Sequence, residues 1–409
     1  MEFREYQKQI IEKGTQMLRR DGFLYLAMEV RTGKTLTSLG IAEKIGAENL
    51  LFITKKKAIS SITDDLNKLC TPFVTFVINY ESLHKMPKIK WDFIIVDEAH
   101  SIGAFPKPSG RAKKVADLIR KCRPRVILMS GTPTPESYSQ MYHQVYAIPR
   151  NPFSMFKNFY RFADKYVDKK QKIINGFMIN DYSKGRMDIV KRMTPHTINY
   201  SQAQAGFSSK IRERVLRVPM TSETYDYAKT LKKDRVLELD DNVVLADTPV
   251  KLMQKLHQMY SGTVKFEDGS STVLDHSKAI FIKSHFKGKK IGIFYKFKAE
   301  LTALKDVFKE QLTTDLEEFK TTDKSIALQI VAGREGISLK EAKYLVYYNI
   351  DFSATSYWQS RDRMTTKERA ESEIFWIFSQ DGIEDRIYAA VSKKKSYTLS
   401  HFRKDLLSL

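Results

Sequence analysis

The chain has 409 residues, 42% of them apolar, which allows two or three domains with buried cores and excludes a disordered chain. Lysine and arginine outnumber the acidic residues 69 to 48, a net charge of +21 that points to a polyanionic partner, nucleic acid first and an anionic membrane surface second. Two cysteines, Cys70 and Cys122, exclude a disulfide framework or a Cys-rich zinc site; with no apolar leader and no long apolar span, no membrane association and a cytoplasmic location are expected.

In chain order, the first informative stretch is "YLAMEVRTGKTLTSLGIA" (25–42), in which Gly33-Lys34-Thr35 precedes a helical pattern. Four short apolar runs follow, at 50–54, 74–78, 93–97 and 126–130, separated by helical patterns and polar turns. This alternation predicts an open parallel sheet with helices on both faces. Residues 151–250 are rich in Lys, Tyr and Phe and present no run of buried strands; Asn175-Gly176 there lies between two apolar runs and predicts a hairpin. Phe153, Phe156, Phe159 and Tyr160 fit core packing at helical spacing, with base stacking as the alternative. Asp268-Gly269 predicts a second hairpin, and apolar runs at 291–295, 326–331, 344–350 and 374–378 predict a second α/β half. The expected division is 1–150, an inserted helical and hairpin segment at 151–250, and 251–409.

Ligands of such sheets collect at the carboxyl ends of the strands, where "FIIVDEAH" places Asp97 and Glu98. Gly-Lys-Thr alone is a common string, and an acidic pair at a strand end reads equally well as a helix cap. In this order and on strand ends they form the two halves of a nucleotide site. Lys34 would neutralise phosphate oxygens, Thr35 and Asp97 would hold Mg²⁺, and Glu98 would orient or deprotonate the attacking water.

"DEAH" (97–100) followed by "SGTP" (130–133) resembles motifs II and III of the superfamily 2 helicases, in their Swi/Snf-like branch with its small phage-encoded relatives. "FREYQ" (3–7) resembles the adenine-reading Q motif, with Arg4 and Gln7. "FITKKKAISSI" and "INYESLHKM" resemble its DNA-contacting motifs, and "KKIGIFYKFKAELTAL", "VAGREGISLKEAKYLVYYNID" and "YWQSRDRMTTKER" resemble motifs IV to VI. The resemblance implies two RecA-like α/β domains, P-loop NTPase in type, using ATP and Mg²⁺ on single-stranded, forked or branched DNA. It implies nucleotide contacts from Thr32, Gly33, Lys34, Thr35 and Gly336, with Gln359 and Arg363 (the finger) as catalytic residues of the second half; Arg31, where the family has glycine, either lies beside the phosphates or caps the cleft, or points outward from a tolerant position. Ser130 and Thr132 would couple nucleotide state to movement, and Lys55, Lys56, Tyr80, Ser82 and Ser338 would hold the nucleic-acid backbone. The hairpin at Asn175-Gly176 is the candidate strand-separating wedge.

Two positions depart from the family pattern. Arg31 replaces a loop glycine, and Thr366 stands where motif VI carries a second arginine, for which Arg361 or Arg369 would substitute. The expected activity is an ATP-dependent helicase or translocase that unwinds or remodels DNA in replication, recombination or repair. A duplex translocase without strand separation, an RNA helicase and a nucleotide-gated DNA clamp with little turnover are the alternatives.

Overall fold

The eight apolar runs at 50–54, 74–78, 93–97, 126–130, 291–295, 326–331, 344–350 and 374–378 each contribute a parallel strand in the computed structural model, which describes residues 2–174, 177–206, 210–239, 242–333, 339–364 and 371–393. The chain divides into two compact units, Met1–Phe207 and Ser208–Leu409. The division falls within 151–250, so the two parts of that stretch pack in different units.

In the first unit, β1 (Phe23–Met28), β2 (Asn49–Thr54), β3 (Val74–Asn79), β4 (Phe93–Val96) and β5 (Arg125–Met129) lead to a hairpin of β6 (Lys170–Ile174) and β7 (Phe177–Asp181), then to β8 (Thr197–Tyr200). The sheet runs β3-β2-β4-β5-β1-β8, all parallel. Successive side chains of a strand face opposite sides, and here both sides are covered. Phe23, Tyr25, Leu51, Ile53, Ile94, Val96 and Leu128 enter one core. Leu24, Leu26, Leu50, Phe52, Ile95 and Ile127 enter the other, against α1 (Glu5–Asp21), α2 (Lys34–Ile45) and α3 (Ile59–Leu69). Two-sided burial explains why these strands read as unbroken apolar runs rather than alternating ones.

The second unit repeats the plan. After β9 (Lys210–Val218) come two hairpins, β10 (Val236–Leu239) with β11 (Asn242–Leu245) and β12 (Thr263–Lys265) with β13 (Ser271–Val273). Then follow β14 (Ile291–Tyr295), β15 (Leu312–Thr313), β16 (Ser325–Gln329), β17 (Tyr344–Tyr347) and β18 (Glu371–Ser379). The sheet order is β15-β16-β14-β17-β18-β9, again all parallel. Both units are RecA-like α/β sheets.

The Asp268-Gly269 hairpin forms as expected, with Gly269 at φ 92 between β12 and β13. The strands flanking Asn175-Gly176 also pair, from Ile174↔Phe177 outward; Asn175 and Gly176 lie outside the described residues. Within 151–250, where no run of buried strands is expected, β8 and β9 are edge strands that complete one sheet each. β9 lacks an apolar signature because it is an edge strand rich in charge, in which Arg214 pairs with Glu373 of β18 at 2.9 Å and Arg212 pairs with Glu371. Of the four aromatic residues after position 150, Phe153 and Phe159 are buried, Phe156 is half-buried against the same core, and Tyr160 is 45% exposed.

Candidate functional site

The carboxyl ends of β1, β2, β4 and β5 bring the predicted residues of the first unit together. After β1 the chain turns through Glu29–Gly33 into α2, with Gly33 left-handed at φ 78 directly before Lys34. Arg31 is also left-handed, at φ 62. A residue with a Cβ is strained there, so this position keeps the backbone shape of a glycine while carrying an arginine. Lys34 Nζ donates to Glu29 O at 3.3 Å. It also lies beside Gly131, where an added Cβ would come within 3.7 Å of it.

Asp97 follows β4 and accepts from Thr54 Oγ1, at the end of β2, at 2.8 Å. Its carboxyl is pushed up to about 6 by removal from water and then by repulsion from Glu98, against the pull of Lys34 and Thr54. Glu98 is left-handed at φ 49, and its Oε2 lies 3.2 Å from His100 Nδ1. The same His100 nitrogen is 2.9 Å from Ser130 Oγ, which in turn accepts from Thr132 N at 3.1 Å. A continuous polar path therefore joins Glu98 to the Ser130–Pro133 loop. Beyond it, Gln144 Nε2 donates to Pro133 O at 2.8 Å, and Tyr25 Oη donates to Gln144 Oε1 at 2.7 Å. Thr54, His100, Tyr25 and Gln144 were not singled out from the sequence. Only His100 carried a signal, as the last residue of the "DEAH" string.

Other predicted residues are placed differently. Gln7 is buried at 3% exposure and its amide is used within the chain. Oε1 accepts from Arg4 N at 3.0 Å, and Nε2 donates to Gly33 O and Thr37 Oγ1 at 3.4 Å. Gln7 thus braces the loop, and reading an adenine edge would require giving up these bonds. Arg4 Nη1 donates to Tyr6 Oη at 3.3 Å. Tyr80 is 1% exposed and its hydroxyl donates to Asp97 O, so it supports the acidic loop and is not a nucleic-acid contact. Lys55 and Lys56 follow β2, half-buried and exposed respectively, and Ser82 is half-buried in the turn after β3.

In the second unit, Arg363 lies in the turn Arg361–Met364 at 8% exposure, and its carbonyl accepts from Leu339 N at 2.9 Å. Gln359 belongs to the helix Ala354–Ser360. Arg361, one of the two expected substitutes for the missing arginine, is engaged within its own unit. Its guanidinium is 3.1 Å from Glu213 Oε1 and lies over the Trp358 ring at 4.7 Å. Glu213 also accepts from Tyr357, Trp376 and Tyr388. Arg361 is therefore committed to a local aromatic and acidic cluster. Gly336, Ser338, Thr366 and Arg369 lie outside the described residues.

No helix among the described residues is long and apolar enough to cross a membrane. The pattern of the SNF2-related domain matches residues 26–260. A Caenorhabditis elegans homologue of SWI/SNF-related matrix-associated actin-dependent regulator of chromatin subfamily A-like protein 1 is 31% identical over 179 residues, covering 38% of this chain and 25% of the relative. The Xenopus tropicalis protein of that name is 26% identical over 174 residues, covering 37% of this chain and 18% of the relative. The chain therefore matches a quarter or less of the length of these curated relatives. The solved Sulfolobus solfataricus SWI2/SNF2 ATPase core in complex with dsDNA is similar with a TM-score of 0.43 and 14% identity, covering 100% of this chain and 93% of that one.

Proposed function

Given that the chain belongs to the SNF2-related domain family, we propose that it hydrolyses ATP to move along DNA, and that it acts on forked or branched duplexes. The observation that carries the reading is the meeting of Lys34, Asp97, Glu98 and Ser130 at one carboxyl edge of the first sheet. A basic chain with a net charge of +21 suits a phosphate backbone gripped without regard to sequence.

In this reading Lys34 and the amino end of α2 take the phosphates of ATP. For Lys34 this exchanges the neutral Glu29 carbonyl for an anionic partner. Glu98 orients and deprotonates the attacking water. Its neighbour His100 carries the change at the phosphates to Ser130 and Thr132. The donor set fits a divalent cation, since two adjacent carboxylates with one held at about 6 is the arrangement a cation relieves. Thr35 and Asp97 would hold magnesium, which supplies positive charge against the phosphate oxygens. Arg31, Thr32 and Gly33 belong to the phosphate loop, and Gln359 and Arg363 are the residues of the second unit proposed to assist turnover. Lys55, Lys56 and Ser82 are the proposed backbone contacts on the first unit.

The test is ATP turnover without DNA and with single-stranded, duplex, forked and four-way-junction DNA, beside strand-displacement and triplex-displacement assays. Stimulation greatest on forked or junction DNA is expected. Glu98→Gln should lower the rate by at least about 100-fold while nucleotide still binds, and Arg363→Ala should lower it in the presence of DNA. Equal rates with and without DNA, or normal turnover by Glu98→Gln, would overturn the reading. Triplex displacement without strand displacement would replace it by pure duplex translocation.

A further inference from the structure

The chain leaving β8 is fastened to the loop that precedes Lys34. Glu29 N donates to Tyr200 O at 2.9 Å, one position beyond the β1–β8 ladder. Gln202 then makes two more ties. Its backbone N–H donates to Glu29 Oε2 at 2.7 Å, and its side-chain Nε2 donates to Val30 O at 3.0 Å. The segment making these ties is itself a closed turn. Ser201 N donates to Gln204 Oε1 at 2.9 Å, Tyr200 Oη donates to Gln204 O at 2.9 Å, and Ala205 N donates to Ser201 O at 3.1 Å. The Tyr6 ring stacks on Tyr200 at 4.7 Å while its hydroxyl donates to Thr32 O at 3.0 Å.

These ties bear on Arg31. The peptide plane before it carries Val30 O, held by Gln202; the plane after it carries Thr32 N, held by Glu29 O at 3.4 Å. A left-handed residue other than glycine persists only where its surroundings over-determine it, and here both flanking planes are pinned. We propose that Gln202 is a positioning residue for the nucleotide loop: it holds the Val30–Arg31 peptide in the left-handed path and makes the loop one hydrogen-bonded body with the segment through which the chain passes to the second unit. The nucleotide-loop role rests on the ATP reading above. The tie itself does not.

Two measurements on the full chain separate them. Without nucleotide, Gln202→Ala should speed amide hydrogen exchange across residues 30–35 and leave β5 unchanged. With ATP, it should raise the dissociation constant and KM about threefold to tenfold, the worth of one hydrogen bond, with kcat within about twofold. Gln202→Glu, which sets an acceptor against a carbonyl, should do more. In an Arg31→Gly background, where the left-handed path is unstrained, the effect of Gln202→Ala should shrink. Faster exchange in a chain that binds no ATP would support the tie and sink the ATP reading. Unchanged exchange, or an equal loss of ATP affinity in both backgrounds, would overturn the inference.

Discussion

Asp97 is in a position where stability and the proposed chemistry oppose each other, and Asp97→Asn exposes the conflict. The carboxyl, ordinarily near 3.8, is raised to about 6. A raised folded-state value means that ionisation is harder in the folded chain than in the unfolded one. The stabilisation is therefore complete below pH 3.8 and is lost as the pH rises through about 6. At pH 8 the cost would reach on the order of 3 kcal/mol at 1.36 kcal/mol per pKa unit. That figure is a ceiling, because the side chain is only partly covered and retains some solvent. A gain of about 1–2 kcal/mol is expected for Asn, which cannot ionise and still accepts from Thr54. For a unit of this size that raises Tm by about 2–8 °C at pH 8. Calorimetry from pH 4 to pH 8, paired with turnover assays, would follow the gap closing toward pH 4 while ATP hydrolysis by the variant is lost. A variant no more stable than the parent at pH 8, or a gap independent of pH, would refute the electrostatic account of this site.

Two stability predictions follow from other residues. Arg31→Gly should stabilise the first unit by up to about 1 kcal/mol in chemical denaturation, the relief of left-handed strain less the entropy that glycine adds to the unfolded chain; destabilisation would mean that the arginine side chain contributes more than its backbone costs. Lys278 and Glu384 form a fully buried ion pair at 2.7 Å, with Glu384 also accepting from Ser379 Oγ at 3.0 Å. Lys278→Met should therefore cost the second unit about 3–5 kcal/mol, with most of it recovered in Lys278→Met/Glu384→Gln, since the penalty is an unpaired buried charge rather than a lost attraction.

What the sequence revealed of the fold depended on where each strand sits. The inner strands are covered on both faces, so burial alone demands the apolar runs by which they were recognised. β8 is four residues long with Ile198 alone buried, and β9 places arginines opposite the acids of β18, so neither carries that signature. Their sheet membership comes from hydrogen bonds to a neighbour distant in sequence, which no local pattern encodes. The site shows the same split. Lys34, Asp97 and Glu98 lie at strand ends and were legible as strings. Thr54 and Gln144 act through contacts across the sheet and had no string to announce them. Gln7 and Tyr80 show the converse, since motif position marked them while packing decided what their polar atoms do.

The missing loop glycine draws these observations together. A chain reaches left-handed backbone either by omitting the Cβ or by fixing the peptide planes on both sides of a residue that retains one. Gly33 takes the first route and Arg31 the second. The second route costs strain, but it makes the shape of the loop depend on partners outside it: Gln202 and Tyr200 after β8, and Tyr6 of α1. A glycine would enter the same path without strain. The substitution therefore ties the geometry around Lys34 to the segment that carries the chain out of the first unit.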